Sequence, residues 1–376
     1  MKETSLRELA QLFLKLGTVA FGGPAAHIAM MQDEVVDRRA WFSRQRFLDL
    51  VGATNLIPGP NSTELAIHIG YERAAWAGLL VAGSCFILPA MFIVIGFAWA
   101  YVEYGATPTG EALLYGVQPV VIAIVAHALA RLAPTAARNW LLRVVVVAAI
   151  VLFLTGTNEL LILFGLGLLV MAVRRTARFG FGAGHVFFPL PFVVLAQDAG
   201  SPVTLDRMFL VFLKIGAVLY GGGYVILAFL QNDFVERLGW LTQQQLIDAV
   251  SVGQVTPGPV FTTATFIGYL LKGVPGALLA TLAIFLPSFV FVAVSHRYIE
   301  RMRSSPWFAG LLDGVNAAAV GLMGGVTIQL AREAIVDATT VVLAVTALVL
   351  LVAARINSAW LILAGGTIGL LVDMMR

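Results

Sequence analysis

Long, uninterrupted apolar stretches constrain this chain more than any other feature. Residues 75–101, 309–330 and 339–354 contain a single charged side chain between them, Asp313. A helix needs about 20 apolar residues to cross roughly 30 Å of hydrocarbon, so these stretches are long enough, or nearly so, to span a bilayer. They are continuous and do not alternate with polar residues, which excludes a membrane barrel. We therefore expect an all-α polytopic protein embedded in the lipid bilayer.

The composition agrees with this class and excludes several others. Of the 376 residues, 59% are hydrophobic and only 12% are charged, against about a quarter in soluble domains. The net charge of +3 is too small to indicate a nucleic-acid partner. A single cysteine, Cys85, excludes an internal disulfide and a cysteine-based metal site. No phosphate-binding GxxxxGK[ST] loop occurs, so we expect no cofactor and no metal.

The amino terminus and the apolar content together indicate the compartment. The first residues, "MKETSLRELAQLFLKLG", form an amphipathic pattern with no small-residue cleavage site. We therefore expect no removable signal peptide. The predicted location is the cell inner (plasma) membrane, crossed several times.

The chain contains an internal repeat. "FLKLGTVAFGGP", which begins at Phe13, matches "FLKIGAVLYGGG", which begins at Phe212, and further matches continue downstream at an offset of 199 and then 198 residues. Self-similarity over such a length indicates two copies of one structural unit. We divide the chain into a first repeat (residues 1–175), a linker (176–205) and a second repeat (206–376).

Loop charges predict that the two repeats face opposite ways. The loop after the long apolar stretch of the first repeat, "EYGATPTGE", has no basic residue, whereas its counterpart, "HRYIERMRSSP", has three arginines. Because basic loops stay in the cytoplasm, equivalent loops should lie on opposite sides of the membrane. Inverted repeats of this kind hold their substrates near the membrane midplane, on interrupted helices. The symmetry also leaves a homodimer open.

Each repeat is interrupted at the same tripeptide. "NLIPGPNSTELAIHIGY" begins at Asn55, and "QVTPGPVFTTATFIGY" begins at Gln254. The apolar segments on either side of the first break have 11 or 12 residues, or about 17 Å of helix, which is too short to cross alone. We predict a re-entrant helical hairpin with Pro-Gly-Pro at its tip. Each repeat would then have about five transmembrane helices plus this hairpin, with the linker on the cytoplasmic side.

These breaks predict an anion site. Proline suits the first position of a helix, so each tip should present free backbone N–H groups and the positive end of a helix dipole to an anion. A second repeated break, "FGGP" against "YGGG", is preceded in both repeats by a lysine. The predicted substrate-binding residues are Lys15, Gly22, Gly23, Pro24, His27, Asn55, Pro58, Gly59, Pro60, Asn61, Ser62, Thr63, Lys214, Gly221, Gly222, Gln254, Pro257, Gly258, Pro259, Thr262 and Thr263.

Structural roles compete with each of these assignments. The glycines could serve close helix packing, Lys15 could extend to the membrane surface, and His27 could be a packed core residue. Glu64 and His68 lie four residues apart on one helix face, as a local hydrogen-bonded pair or a proton-coupling pair would. An intramembrane enzyme is disfavoured because no zinc triad, nucleophile elbow or aspartate pair occurs. A non-transporting scaffold is disfavoured because unpaired backbone at membrane depth is costly.

The motifs taken together resemble the chromate transporter (CHR) family in its long, two-domain form. They are GGP followed by a histidine, an RRxW segment, the Pro-Gly-Pro breaks and a proline-containing span in each repeat. The resemblance implies chromate export from the cytoplasm, driven by the proton-motive force and giving chromate resistance. It adds Arg38, Arg39 and Trp41 to the functional positions.

Two positions depart from the family pattern, and the substrate has an alternative. Asn55 and Glu64 stand where glutamine is expected, and an additional carboxylate near an anion site would repel the anion unless it is protonated or paired. Sulfate is a tetrahedral dianion of similar size. Transport of sulfate or another oxyanion, including uptake, is therefore the alternative function.

Overall fold

The computed structural model describes residues 4–21, 23–178, 202–220, 225–295, 306–354 and 356–375. Within them all regular structure is helical. In chain order the helices are α1 (Leu6–Val19), α2 (Gly23–Gln32), α3 (Arg44–Thr54), α4 (Asn61–Tyr104), α5 (Pro108–Ala136), α6 (Trp140–Leu154), α7 (Glu159–Arg178), α8 (Leu205–Val218), α9 (Ile226–Leu230), α10 (Gln243–Val255), α11 (Thr263–Ser295), α12 (Pro306–Ala334), α13 (Ala338–Val349) and α14 (Ser358–Met375). Helices α2, α9 and α13 continue into π-helical segments, Asp33–Arg38, Gln231–Arg237 and Leu350–Ala354.

Five helical segments of the described chain are long and apolar enough to cross a membrane. They are Asn61–Tyr104, Pro108–Ala136, Val260–Ser295, Ala309–Ala334 and Ser358–Met375. Two shorter apolar helices, Trp140–Leu154 and Ala338–Ala354, accompany them. Large side chains point outwards from this bundle, including Trp76, Phe92, Trp140 and Trp360, each at least 60% exposed. An apolar outer surface of this kind suits contact with lipid, so the structure agrees with a multi-pass membrane protein.

The first two helices run antiparallel. Ser5 caps α1 by accepting a hydrogen bond from the Glu8 backbone N–H at 3.2 Å. The Lys15 ammonium lies 2.7 Å from Glu34, and Arg39 lies 3.8 Å from Glu8. The first contact joins α1 to the start of the π-helical extension of α2. The second joins the start of α1 to the end of that extension. The chain therefore turns back at the glycine break, which the expectation of a single hairpin per repeat had not included.

Helix α3 and the start of α4 form a second antiparallel pair. Arg46, in the first turn of α3, forms an ion pair with Glu72 near the kink of α4. Arg73 donates hydrogen bonds to Thr4 Oγ1 at 2.6 Å and to the Trp41 carbonyl oxygen at 3.3 Å. The start of α1, the start of α3 and the kink of α4 therefore lie close together at one end of the molecule.

A sharp kink divides α4 into a short arm (residues 61–73) and a long arm (residues 76–104). Ala74 and Ala75 have non-helical backbone angles, and Ala75 has φ 46° and ψ −137°. A methyl group on Gly70 would collide with the Gly78 carbonyl oxygen, so the two arms fold back in close contact. A kink rather than a loop thus joins the two arms. Helix α11 has the same kink, at Lys272 and Gly273.

The largest hydrophobic core joins the two repeats. It includes Val94 and Ala98 of α4, Phe212 of α8, Phe266 of α11 and Ala318 of α12. Helices α5 and α14 also cross closely through Gly116, Gly365 and Gly369, whose backbones leave no room for a side chain. Small residues permit such close crossings in membrane bundles. The two repeats therefore share one packed interior. The predicted cytoplasmic position of the linker falls mainly on residues 179–201, outside the described residues.

Candidate functional site

The two Pro-Gly-Pro tips each contact the other repeat. The Gly59 N–H donates to the Leu219 carbonyl oxygen at 2.8 Å, and the Gly258 N–H donates to the Ala20 carbonyl oxygen at 2.9 Å. Ala20 and Leu219 end α1 and α8, immediately before the glycine-rich breaks. Both tip glycines have positive φ, 137° and 92°, a conformation that favours glycine. Each tip thus donates a backbone hydrogen bond to the opposite repeat.

Both tips lead directly into helices. Pro60 precedes α4 as its N-cap, so the helix begins at Asn61, one residue later than the sequence suggested. Pro259 precedes a 3₁₀ turn, Val260–Thr262, and α11 begins after it at Thr263. The first N–H groups of a helix have no carbonyl partner within it, so these starts present backbone donors at the tips.

Several buried polar atoms at the tips have no hydrogen-bond partner in the described protein. They are Thr63 Oγ1, both carboxylate oxygens of Glu64, Gln254 Nε2 and Ser288 Oγ. Glu64 and Ser288 flank Gly59, because a Cβ built on this glycine would collide with Glu64 Oε1 and lie 2.7 Å from Ser288 Oγ. Buried polar groups are nearly always satisfied in native proteins. Glu64 and Ser288 therefore leave unpartnered polar atoms beside the first tip.

His27 connects the first break to the start of α4. Its Nε2 lies 3.0 Å from the Ala20 carbonyl oxygen, and its Nδ1 lies 3.2 Å from Ser62 Oγ. Because a carbonyl can only accept, Nε2 carries the proton, and in the neutral ring Nδ1 accepts from the Ser62 hydroxyl. A second proton on the ring would reverse that bond and free the Ser62 hydrogen for another acceptor. The side chain is 1% exposed and packs edge-on against Phe86.

The two predicted lysines form ion pairs. Lys15 pairs with Glu34 at 2.7 Å, and Lys214 pairs with Asp233 at 2.5 Å. Glu159 lies 3.6 Å from Lys214 and adds a second carboxylate. Arginines also neutralise these groups: Arg38 and Arg39 contact Glu34, and Arg237 contacts Asp233. Each lysine thus belongs to a cluster of opposite charges, and the cluster of Lys214 includes Glu159 from α7 of the first repeat.

The other predicted residues are placed as follows. Asn61 donates to Asn55 at 2.8 Å. The hydroxyls of Thr262 and Thr263 donate to backbone carbonyls of the preceding turn, both at 2.8 Å, so these hydrogens are already used. His68 is buried one turn beyond Glu64. Gly23 starts α2 with positive φ, and Pro24 follows it. Gly22, Gly221 and Gly222 lie outside the described residues.

Sequence reasoning missed three residues around this region. Glu34 and Asp233 each follow their lysine by 19 residues, so the repeated Lys-to-acid spacing could have revealed the pairs. Ser288 follows a proline in "IFLPSFV", and the equivalent residue of the first repeat is Ala90. A polar serine within an apolar stretch was the one sign of Ser288 in the sequence.

Comparison with known proteins identifies the family of this chain. The family model described as chromate transporter matches residues 7–172 and 207–370, which together cover most of the chain and both repeats. The chain belongs to the chromate transporter family. Members of this family are membrane transporters and not enzymes, in agreement with the apolar helices described above.

Three relatives are similar along most of their length. A probable chromate transport protein of Synechococcus elongatus is 33% identical over 92% of this chain and 89% of its own. A chromate transport protein of Cupriavidus metallidurans is 34% identical over 97% of this chain and 92% of its own. One of Pseudomonas aeruginosa is 32% identical over 87% and 82%. No solved structure gives a significant match.

Proposed function

We propose that this protein exports chromate across the inner (plasma) membrane, using the proton-motive force, and so confers resistance to chromate. Support comes from the three long relatives, which carry chromate transport in their names. Sulfate has the same shape and charge as chromate and is the rival substrate.

The observation that carries this proposal is the set of buried, unpartnered polar atoms at the first tip. Chromate has only acceptor oxygens, so its site must supply donors. The backbone N–H groups of Asn61 and Ser62 and the hydroxyls of Thr63 and Ser288 are donors in the right place. A helix N-terminus adds a positive partial charge of about half an elementary charge. An oxyanion therefore fits the tip chemically.

If the two repeats are inverted, the second tip would lie at the same depth in the membrane as the first tip. In the first repeat, the helix pairs open at the end of the molecule that contains Thr4, Trp41 and Arg73. In the second repeat, α10 begins near the opposite end of the long arm of α4, where Tyr101 donates to Asp248 at 2.8 Å. We propose that each repeat contributes two re-entrant hairpins, α1/α2 and α3/α4 in the first repeat, and that the repeats enter the membrane from opposite faces.

Glu64 would couple the anion to protons. An ionised carboxylate beside the tip repels a dianion, whereas the neutral acid does not. Anion binding and proton binding at Glu64 should therefore favour each other. His68, one turn away on the same face, would complete the proton-coupling pair.

The membrane potential then supplies the driving force. A potential of 100 mV, negative inside, favours the exit of a negative charge by about 2.3 kcal/mol. A dianion that moves alone would gain about 4.6 kcal/mol, and one that leaves with a single proton about 2.3 kcal/mol. Both values favour export over uptake.

The lysines would then stabilise the hairpins rather than contact the anion in this state. Lys15 and Lys214 would reach the anion only if their ion pairs with Glu34 and Asp233 opened. We keep them in the proposed site as residues that act in that opened state.

Flux through purified protein in liposomes tests the function. We expect radiolabelled chromate to move towards the positive side of an imposed potential, with sulfate as the competitor, and Pro60→Ala to lower this flux at equal amounts of folded protein. Empty liposomes and a Pro134→Ala variant, whose proline lies within α5 far from the tips in sequence, are the controls. Sulfate flux without chromate flux would select the rival substrate, and no flux of either would reject the proposal.

A further inference from the structure

A cavity of about 690 Å³ opens at the end of the molecule where α4 ends and α10 begins. Both repeats line it: Tyr101 and Gln118 come from α4 and α5, and Gln244 and Asp248 come from α10. The Asp248 side chain is only 1% exposed. A buried carboxylate at a cavity between two repeats needs an explanation.

Neutral groups satisfy this carboxylate. Tyr101 Oη donates to one oxygen at 2.8 Å, and Gln118 Nε2 donates to the other at 2.8 Å. Gln244 Nε2 lies 3.4 Å from that second oxygen. The described residues that line the cavity include no lysine, arginine or histidine. A buried charge without a cationic partner is costly, so the neutral acid is an accessible state of Asp248.

The charged groups that face the cavity share one sign. Glu111 from α5 and Glu333 from α12 also line it, and α11 contributes only the apolar Leu270. Asp373 of α14 lines a smaller cavity beside Glu111. Glu236, on the π-helical segment that packs against α10, does not line the cavity. A cleft of negative groups raises the local concentration of cations, including protons, and repels oxyanions.

We propose that Asp248 is a proton-binding site, reached from this cavity, that links proton uptake to the contact between the two repeats. The carboxylate takes a proton from a hydronium ion in the cavity, and water is the other product. The neutral acid then holds the hydrogen bonds from Tyr101 and Gln118 more weakly, because charge-assisted bonds are about twice as strong as neutral ones. Protonation thereby loosens α10 from the first repeat.

Loosening of α10 would affect the second Pro-Gly-Pro tip. Helix α10 ends at Val255 and leads into the second Pro-Gly-Pro tip. A movement of α10 caused by protonation of Asp248 therefore reaches that tip. This last step rests on the proposed function, whereas proton binding itself does not.

The first repeat supplies a matched control. Asp49 is the residue equivalent to Asp248, and Gln45 donates to it at 3.2 Å as Gln244 does in the second repeat. Asp49 is partly exposed and lines neither of the two cavities. Asp49→Asn therefore removes a carboxylate from the equivalent position without touching the proposed site.

Infrared difference spectra of the purified protein in lipid nanodiscs, recorded against pH and without any anion substrate, test proton binding directly. We expect a protonated-carboxyl signal that titrates in the wild type and in Asp49→Asn and is lost in Asp248→Asn. Tyr101→Phe should move its midpoint about one unit to higher pH, because a hydrogen bond that favours the charged form is removed.

The outcomes separate this proposal from the transport function. A carboxyl signal unchanged in Asp248→Asn, or, should that variant not fold, a midpoint unchanged in Tyr101→Phe, would overturn the proposal. A response of the Asp248 signal to sodium at fixed pH would overturn it in favour of a metal-cation site. In liposomes, chromate flux should depend less on the pH of the cavity side in Asp248→Asn than in the wild type, and the dependence that remains should come from Glu64. Loss of all flux with the infrared signal intact would reject only the transport function.

Discussion

At the scale of single residues, the unusual group is Glu64. It is fully buried beside Gly59, and neither carboxylate oxygen has a hydrogen-bond partner in the described protein. Other buried acids here are neutralised or bonded: Glu34 by Lys15 and Asp233 by Lys214. A lone carboxylate at the proposed anion site makes the local charge depend on proton binding.

Glu64→Gln should remove the pH dependence of anion binding. In the wild type we expect chromate affinity to fall as pH rises, since ionisation of Glu64 places a like charge beside the anion. The glutamine variant resembles the protonated state, so at alkaline pH it should bind chromate at least about tenfold more tightly than the wild type. Isothermal titration calorimetry on detergent-solubilised protein at several pH values measures this.

Glu72→Gln is the matched control for that experiment. Glu72 lies on the same short arm but at its far end, where it pairs with Arg46. This variant should keep the wild-type pH profile. Superimposable profiles for Glu64→Gln and the wild type would remove Glu64 from proton coupling.

At the scale of helices, the kink of α4 carries backbone strain that the equivalent kink of α11 avoids. Ala75 adopts φ 46° and ψ −137°, a combination that residues with a Cβ rarely adopt. The corresponding residue of α11 is Gly273, at φ 60° and ψ −152°. Such backbone conformations cost about 1–3 kcal/mol for residues other than glycine.

Opposite substitutions at the two kinks should therefore have opposite effects. We expect Ala75→Gly to raise the stability of the solubilised protein by about 1 kcal/mol, and Gly273→Ala to lower it by about the same amount or more. Thermal unfolding followed by intrinsic fluorescence measures both. A loss of stability in Ala75→Gly would show that the Ala75 conformation is not strained.

The sequence predicted the helical class and the interruption of helix at both Pro-Gly-Pro tripeptides, because long apolar runs and proline have strong local effects. It did not predict the pairing of α1 with α2. That pairing depends on Lys15 meeting Glu34, and the equivalent pairing of α8 depends on Lys214 meeting Asp233. Both contacts join residues 19 apart, and only the repetition of this spacing in the second half of the chain signals them. The sequence also did not reveal that Asp248 is buried, because its hydrogen-bond partners, Tyr101 and Gln118, belong to the other repeat.

At the scale of the whole molecule, the proposed inversion of the repeats has a direct test. Ser43 and Thr242 are equivalent, exposed residues that cap α3 and α10. We expect a cysteine at position 43 to react with a membrane-impermeant maleimide from the cytoplasmic side, and one at position 242 from the outer side. Cys85→Ala provides the cysteine-free background.

Labelling of both cysteines from one side would contradict the inverted arrangement. Each single-cysteine variant should also retain chromate flux, so that the labelled protein is known to be folded. Detergent-opened membranes give the maximum labelling for both positions and complete the control.

The backbone hydrogen bonds between each tip and the opposite repeat can form only in a certain order while the chain is being synthesised. Gly59 donates to Leu219, which follows it by 160 residues. At roughly 5–20 residues per second, a ribosome needs on the order of ten seconds to make that segment. For that interval the Gly59 N–H lacks its backbone acceptor. The bond at the first tip can form only after Leu219 has been made, so a chain truncated before that residue cannot complete it.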